Sequence, residues 1–243
     1  MNEEIKFSRK DLVVSLVVGE ISAWLIWALV KGLLPADKYI AFVGYLKLLP
    51  IVFPVACLLG LYIGYLLGKK IAIVYQIAKF AVIGGFNTLV DWGVLSLVIF
   101  IFRQSFAIEA GDNLLMISSL TVAFYSLFKA ISFVVAATNG YFWNKFWTFK
   151  RESTEKMSKE FLQFFVITFF GFLINVAIAS GIFKYITPPL GLNSDQWGIV
   201  AAVVATAISM VWNFLGYKFI VFEQKRMPAA PIVPNEPPER KII

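Results

Sequence analysis

The chain has 243 residues, of which 59% are apolar and 15% are charged, and its mean hydropathy is +0.77. Soluble domains usually carry about 25% charged residues, so this composition argues against a soluble domain and indicates a protein that crosses a membrane several times. The sequence contains no histidine and a single cysteine, Cys57. These counts exclude a disulfide within the chain, a Cys/His metal cluster and an imidazole base, and we expect neither a metal nor another cofactor.

Six stretches are long and apolar enough to form transmembrane helices, each of which needs about 20 residues. Three of them carry no charge: Leu48–Gly68, Phe161–Phe183 and Gln196–Tyr217. The other three each contain one charged residue: Leu12–Val30 with Glu20, Phe80–Phe102 with Asp91, and Leu114–Asn144 with Lys129. We therefore predict an all-α fold, a polytopic bundle of transmembrane helices.

The positive charges predict the orientation of these spans, because Lys and Arg collect on the cytoplasmic side of a membrane. If the N-terminus is cytoplasmic, 16 of the 22 basic residues fall on that side, in the N-terminus, Lys69–Lys79, Lys145–Lys159 and the tail from Lys218. We expect a multi-pass protein of the cell membrane with both termini in the cytoplasm. This topology explains the net charge of +7, which gives no reason to expect nucleic acid as a partner.

The last four spans form two similar pairs. Within the first span of each pair, the alignment matches Phe80 with Phe164, Gly84 with Thr168, Asn87 with Gly171 and Asp91 with Asn175. The second spans end in NGYFWNKFWTF and WNFLGYKFIVF, which align on Lys145 and Lys218. Both pairs have the same orientation, so we predict a parallel repeat with halves at 79–150 and 163–222. Repeats of this kind in transporters place the substrate site at their interface.

Two short motifs lie within this repeat. One is Phe-x-x-x-Gly-x-x-Asn-Thr from Phe80 to Thr88, followed by Asp91, and the other is Asn-Lys-x-Trp-Thr-Phe from Asn144 to Phe149. With these motifs, residues 79–222 resemble the GtrA-like family of small four-span membrane proteins. The resemblance implies a role with polyprenyl-phosphate-linked sugars, which the family is associated with moving across the membrane for modification of surface polysaccharide.

The first two spans lie outside this resemblance. We therefore predict three parts: two additional N-terminal transmembrane helices at 1–70, a GtrA-like four-helix core at 71–226, and a disordered proline-rich tail at 227–243. The small interior of such a bundle favours a homo-oligomer as the working unit.

Charged residues inside the spans are expensive, costing about 2.5–3.5 kcal/mol each at a helix centre. Asp91 lies about 17 Å and Lys129 about 22 Å from the cytoplasmic ends of their helices. We expect these two residues to pair, either to join their helices or as part of a polar path, and Glu20, about 15 Å deep, competes for Lys129. The predicted intramembrane path comprises Glu20, Asn87, Thr88, Asp91, Lys129 and Asn175.

Aromatic and amide residues crowd the ends of the fourth and sixth spans. An aromatic belt with lysines reaching the headgroups explains the rings and cations but not the amides. A lipid-linked sugar needs cations for its phosphate, amides for its hydroxyls and flat apolar surfaces for its C–H face. These three roles are predicted for Lys145 and Lys218, for Asn139, Asn144 and Asn213, and for Trp143, Trp147, Trp212 and Tyr217.

Three functions remain open at this stage. The first is translocation of a polyprenyl-phosphate-linked monosaccharide by a protein that is not an enzyme. The second is a non-catalytic scaffold that recruits a separate polyprenyl-phosphate glycosyltransferase through the basic Lys145–Lys159 segment and the tail. The third is a small multidrug-type exporter, against which Lys129 argues because it would neutralise the Asp91 carboxylate.

Overall fold

The computed structural model describes residues 5–117, 120–191 and 193–223. Seven α-helices account for most of them: α1 Arg9–Leu33, α2 Ala36–Leu46, α3 Leu49–Gly68, α4 Ala72–Phe106, α5 Phe124–Trp143, α6 Met157–Tyr185 and α7 Ser194–Gly216. The chain also forms two short strands, β1 Asn113–Ile117 and β2 Leu120–Ala123, and a 3-10 turn, Pro189–Gly191. The prediction of a polytopic helical bundle is confirmed.

Five of the described helices, α1, α3, α4, α6 and α7, are long and apolar enough to cross a membrane. Helix α5 is less apolar, but its 20 residues extend about 30 Å at 1.5 Å per residue, which matches the hydrocarbon thickness. Because α5 runs antiparallel to α4 from one end of the bundle to the other, the six long helices alternate in direction.

The predicted span Leu114–Asn144 is wrong at its start. Residues 114–117 and 120–123 lie in the two paired antiparallel strands, and α5 begins only at Phe124. The hairpin is joined to the helix by the Phe124 and Tyr125 backbone N–H groups, which donate to the Asp112 and Ala110 carbonyls at 2.8 Å each. A short apolar run supports a strand as well as a helix, so hydropathy alone could not place this boundary.

The N-terminal helices pack on the core instead of standing apart from it. Helix α1 begins with a capping box between Ser8 and Asp11, and it then contacts α3 and α4. Gly19 permits the approach to α3, since a Cβ there would lie 2.5 Å from the Pro54 Cα. The first two predicted spans are therefore integrated into one bundle with the third.

Helices α4 and α5 form one packed pair, and α6 and α7 form another. At one end of the bundle, rings from both pairs make a buried cluster, as shown by Phe149 stacked on Phe222 with centroids 5.1 Å apart. We call this end the aromatic end; it also carries the start of α1, where Lys10 Nζ donates to the Phe146 carbonyl at 3.0 Å. The cluster comprises Phe80, Tyr141, Phe149, Phe164, Ile167, Phe214, Tyr217, Val221 and Phe222.

Both pairs finish in the same unusual turn at the aromatic end. Helix α5 continues into a π-helical turn, Asn144–Thr148, and α7 continues into another, Tyr217–Val221. Each turn is closed by a 2.8 Å bond across five residues, from Phe149 N to Asn144 O and from Phe222 N to Tyr217 O. The two turns fall at aligned positions, which supports the interpretation of the four helices as a repeat.

Candidate functional site

A cavity of about 750 Å³ lies between the two helix pairs, with walls from α4, α5, α6 and α7. Along α5 it reaches from Ser126 to Asn144, about 27 Å at the rise of an α-helix. At the aromatic end it stops against the ring cluster, because Phe80, Phe164 and Tyr217 belong to both. The cavity therefore follows most of the thickness of a bilayer core.

Asp91 and Lys129 face this cavity from neighbouring helices and form an ion pair. Ser132, one turn after Lys129, donates a 2.7 Å hydrogen bond to the other carboxylate oxygen. The Lys129 side chain is 40% exposed, whereas that of Asp91 is 18% exposed. The pairing expected from the sequence is thus present, and its cation is the more accessible member.

An amide chain supports the wall next to this pair. Asn87 lines the cavity, and its Oδ1 accepts a 3.1 Å bond from Asn139 Nδ2. Asn139 Oδ1 in turn accepts a 3.2 Å bond from Trp143 Nε1. Asn139 and Trp143 are not among the residues that line the cavity, so they hold Asn87 in place from behind.

Two further amides lie nearer the aromatic end. Asn144 is 4% exposed, and its Nδ2 donates to the Gly140 carbonyl at 2.8 Å. Its Oδ1 is buried without a hydrogen-bond partner, and Asn213 Oδ1 on α7 is in the same condition. Both residues line the cavity. An unsatisfied buried acceptor costs about 1–3 kcal/mol, so these two oxygens call for a reason.

Tyr217, the first residue of the π-helical turn after α7, closes the same region. Its ring stacks on Phe164 with centroids 4.2 Å apart, and its hydroxyl lies 2.6 Å from Thr168 Oγ1. Thr88, on the opposite wall, donates to the Gly84 carbonyl at 3.1 Å. Tyr217, Thr168 and Thr88 all line the cavity, which therefore combines apolar rings with hydroxyl groups.

The two lysines assigned to phosphate have different surroundings. Lys145 is completely buried and forms an ion pair with Glu160, the acid at the start of α6. Lys218 is half-buried over the rings of Phe214 and Phe219, at 5.6 and 5.7 Å from their centroids, and pairs with no carboxylate among the described residues. The surroundings of Lys218 therefore support its predicted role as a cation for phosphate. Lys145, in contrast, is already paired with Glu160.

Trp147 also has an internal partner. It is 2% exposed, and its Nε1 donates to Asp11 Oδ1 at 2.9 Å. The same carboxylate pairs with Lys79, whose ammonium lies 5.4 Å from the Trp147 ring centroid. The geometry gives Trp147 a contact that joins α1 to α4 and α5, and it does not place the ring in the cavity.

Three other predicted residues lie away from the cavity walls. Glu20 accepts a 2.7 Å bond from Trp24 Nε1 within α1 and does not reach Lys129. Asn175 donates to Thr206 Oγ1 at 3.2 Å, which ties α6 to α7. Trp212 Nε1 donates to the Ile167 carbonyl at 3.1 Å.

Sequence reasoning missed the partners that organise this region. Glu160 and Asp11 were not considered, although each lies at the start of an apolar helix, where an acid facing a motif lysine is a usable signal. Thr168 was aligned with Gly84 but given no role, and Ser132 lies three residues beyond Lys129 on the same helical face. All four were hidden because a single sequence does not show which faces of two helices meet.

The family comparison covers the part of the chain that builds the cavity. A family model described as "GtrA/DPMS, transmembrane domain" matches residues 79–222. No curated protein and no solved structure matches the chain.

Proposed function

Because this chain belongs to the GtrA/DPMS transmembrane-domain family, we propose that it moves a polyprenyl-phosphate-linked monosaccharide from one side of the membrane to the other. It is a multi-pass membrane protein of a family that handles lipid-linked sugars. In the proposed reaction no covalent bond changes: the sugar travels between the pairs α4–α5 and α6–α7 while the prenyl chain stays in lipid. Both termini face the cytoplasm, where the lipid loads.

The cavity is the observation that carries this proposal. Its volume of about 750 Å³ lies within the range of about 300–1,000 Å³ that small-molecule sites occupy. Polar groups inside a bilayer are costly unless they face a polar path or one another. Here Asp91 and Asn87 on α4 and Asn213 on α7 face one space between the two halves. A purely structural bundle would gain by filling this space with apolar side chains.

Lys129 gives the phosphate a partner along the way. Its ammonium has three donors, the Asp91 carboxylate uses one direction, and the side chain is partly open to the cavity. A phosphodiester that approaches Lys129 shares the cation, while Ser132 retains a hydrogen bond to Asp91. The sequence has no Gly-x-x-x-x-Gly-Lys motif, so we expect movement down a gradient or coupled to an ion.

Reconstitution tests the proposal directly. Purified protein in liposomes with a fluorescent polyprenyl-phosphate hexose should transfer the lipid between leaflets faster than empty liposomes do. A Lys129→Met variant should lose most of this movement. The matched control is Lys184→Met, since Lys184 lies on α6 over the Tyr185 ring and outside the cavity.

The scaffold alternative predicts a different outcome. It requires wild-type liposomes to show no transfer above background, together with binding of a polyprenyl-phosphate glycosyltransferase by the purified protein. That combination would overturn translocation. The basic 145–159 segment is then the surface to test, and the predicted tail at 227–243 falls outside the described residues.

A further inference from the structure

The polar side chains of α1 divide between two faces of the helix. Asp11, Ser15 and Ser22 are buried on the face that packs against α3 and α4. Glu20 is partly exposed and lies on the opposite face, in an outward stripe with the period of a helix: Val13, Val17, Glu20, Trp24 and Ala28. Glu20 does not line the cavity between the helix pairs, so neither the proposed transport nor the packing of the bundle explains it.

Glu20 also lies at the depth where a carboxyl group is most costly. It is eleven residues after Arg9 in a helix of 25 residues, about 17 Å from the helix end. Its Oε1 accepts a 2.7 Å hydrogen bond from Trp24 Nε1. Within residues 5–117, 120–191 and 193–223, its Oε2 has no hydrogen-bond partner and no cation pairs with the carboxyl. Acyl chains carry no donor, so a partner for Oε2 has to come from another protein molecule.

Two indole rings give this face a rigid surface. Trp24 is 54% exposed and stacks on Trp27, with ring centroids 5.4 Å apart and planes 12° from parallel. Trp27 Nε1 donates to the Tyr39 hydroxyl at 3.1 Å, which ties the stack to α2. Because these rings are already held in place, a helix that packs on them loses little conformational entropy. Helices in a bilayer associate through such packing and through polar groups, since apolar burial alone does not distinguish a partner from lipid.

The charges of the chain narrow the choice of partner. Lys79 and Lys129 lie farthest from the ends of the described spans, and both are already paired with carboxylates. A second copy therefore has no free cation to offer at this depth, but it does offer its own Glu20. In hydrocarbon an unpaired carboxyl takes up a proton, and a protonated carboxyl both donates and accepts. Two such groups complement each other, and a two-fold axis places a residue against its own copy.

We propose that the outward stripe of α1 is the contact between two copies of this chain, packed about a two-fold axis with their Glu20 carboxyls hydrogen-bonded to each other. Each Oε2–H donates to Oε1 of the other copy, which has a second lone pair beside the one that Trp24 uses. The cavity lies outside this contact, so the inference is independent of the proposed transport.

The test measures association of full-length copies in liposomes. Donor-labelled and acceptor-labelled copies, each tagged at the C-terminus, are mixed, and energy transfer is followed as added lipid dilutes the protein. Wild-type copies should show transfer that falls as the ratio of lipid to protein rises. Glu20→Leu should lose transfer at about tenfold less lipid, the factor expected when hydrogen bonds between helices are lost. Glu20→Gln should associate as the wild type does, because a carboxamide also donates and accepts.

A matched control and a second measurement locate the contact. Thr138→Val removes an intramembrane hydroxyl of α5 that donates to the Val134 carbonyl of its own helix, and it should leave association unchanged. In a Cys57→Ala background, Val17→Cys on the stripe should cross-link two copies on oxidation. Val203→Cys, 64% exposed on α7, should not. Both cysteine variants keep Glu20, so this result does not depend on the folding of the leucine variant.

Wild-type copies that show no energy transfer at any dilution would overturn the interface. Association that Glu20→Leu leaves unchanged, or cross-linking through α7 in place of α1, would overturn it as well. A loss in Glu20→Gln as large as in Glu20→Leu would overturn the hydrogen-bonded pair. Monomeric wild-type protein that binds a synthetic transmembrane peptide with a central lysine, but not the same peptide with leucine, would assign Glu20 to a different protein and overturn self-association.

Discussion

The side-chain amide of Asn213 lies against the backbone of Gly171, where an added Cβ would come within 2.3 Å of Asn213 Oδ1. In the other half the partners are exchanged: Asn87 on α4 lies against Gly140 on α5, with a closest approach of 3.2 Å to such a Cβ. Each half thus keeps one glycine that seats one asparagine at the cavity wall. The asparagine and the glycine thus exchange positions between the halves: position 87 is asparagine where the aligned position 171 is glycine. Each half still has a contact between one asparagine and one glycine.

Gly171→Ala should impair sugar handling while the protein stays folded. The new methyl group displaces the Asn213 amide, and alanine in a helix contributes up to about 1 kcal/mol relative to glycine. We expect a thermal midpoint equal to or above that of the wild type, together with a several-fold loss of hexose-lipid binding. Differential scanning fluorimetry and the binding assay measure the two effects on one preparation.

Gly181→Ala on the same helix is the control, because nothing lies within 4 Å of a Cβ there. It carries the same gain in helix propensity and should bind the hexose lipid as the wild type does. If both alanine variants bind normally, the seating of Asn213 on Gly171 has no functional weight.

The lysines at aligned positions 145 and 218 should respond in opposite ways to substitution. Lys145→Met removes the nearest cation from the buried Glu160 carboxylate, which keeps only Arg151 at 3.5 Å, so we expect a loss at the lower end of the about 3–5 kcal/mol that breaking a buried pair costs. Lys218→Met removes a half-buried cation with no carboxylate partner among the described residues, so it should cost well under 1 kcal/mol. We expect Lys145→Met to unfold early and Lys218→Met to stay folded with weaker binding of polyprenyl phosphate.

The double variant Lys145→Met/Glu160→Leu separates a structural role of this pair from phosphate binding. Removing both charges should restore much of the thermal midpoint lost in the single variant, since apolar replacements of buried pairs are often neutral. If the restored protein still binds the lipid, Lys145 contributes to the fold alone. Loss of binding in this stable protein would instead support the phosphate role predicted for Lys145.

The Asp91–Lys129 pair should prove more important for transport than for folding. Because Lys129 is 40% exposed, breaking the pair by Asp91→Asn should cost less than the 3–5 kcal/mol of a fully buried pair, about 1–2 kcal/mol. Asparagine can still accept from Ser132, so the local geometry persists. A small fall in thermal midpoint with a large fall in transfer is expected, measured in detergent and in liposomes respectively. A large fall in the thermal midpoint, with normal transfer by the protein that remains folded, would show that the pair only holds α4 and α5 together.

The two N-terminal helices should be needed for the stability of the core that the family model matches. Asp11 is buried, pairs with Lys79 and accepts a hydrogen bond from Trp147. Asp11→Ala therefore leaves both the Lys79 ammonium and the Trp147 N–H group without this partner. We expect a loss of about 3–5 kcal/mol, detected as a lower thermal midpoint. Arg9→Ala, two residues away and exposed, is the control. An unchanged midpoint in the Asp11 variant would show that the added helices are peripheral.

The sequence predicted the helical bundle well because membrane spans follow from length and hydropathy alone. The pairing of Asp91 with Lys129 could also be predicted from the sequence, since their depths along adjacent antiparallel helices match within a few ångströms. These inferences need only one helix at a time, or two helices that follow each other in the chain.

Residue roles at the aromatic end were harder to predict. Lys145 and Trp147 have the residue types of a sugar-phosphate site, yet the fold gives them Glu160 and Asp11 as internal partners. Those acids lie on helices whose facing sides a single sequence does not reveal. The orphaned oxygen of Asn144 was equally hidden, because it depends on a π-helical turn and on the bond to Gly140.

The ring cluster at the aromatic end has a consequence for the speed of the proposed cycle. Nine buried residues from both helix pairs hold the halves together there, and apolar contact stabilises by about 25 cal/mol per Å². Cargo that crosses this barrier has to part the rings, whereas the space beyond them is already open. The rate of turnover should then be limited by separation of the rings at that end and should depend steeply on temperature. Phe149→Leu reduces the buried contact between the halves and should increase this rate.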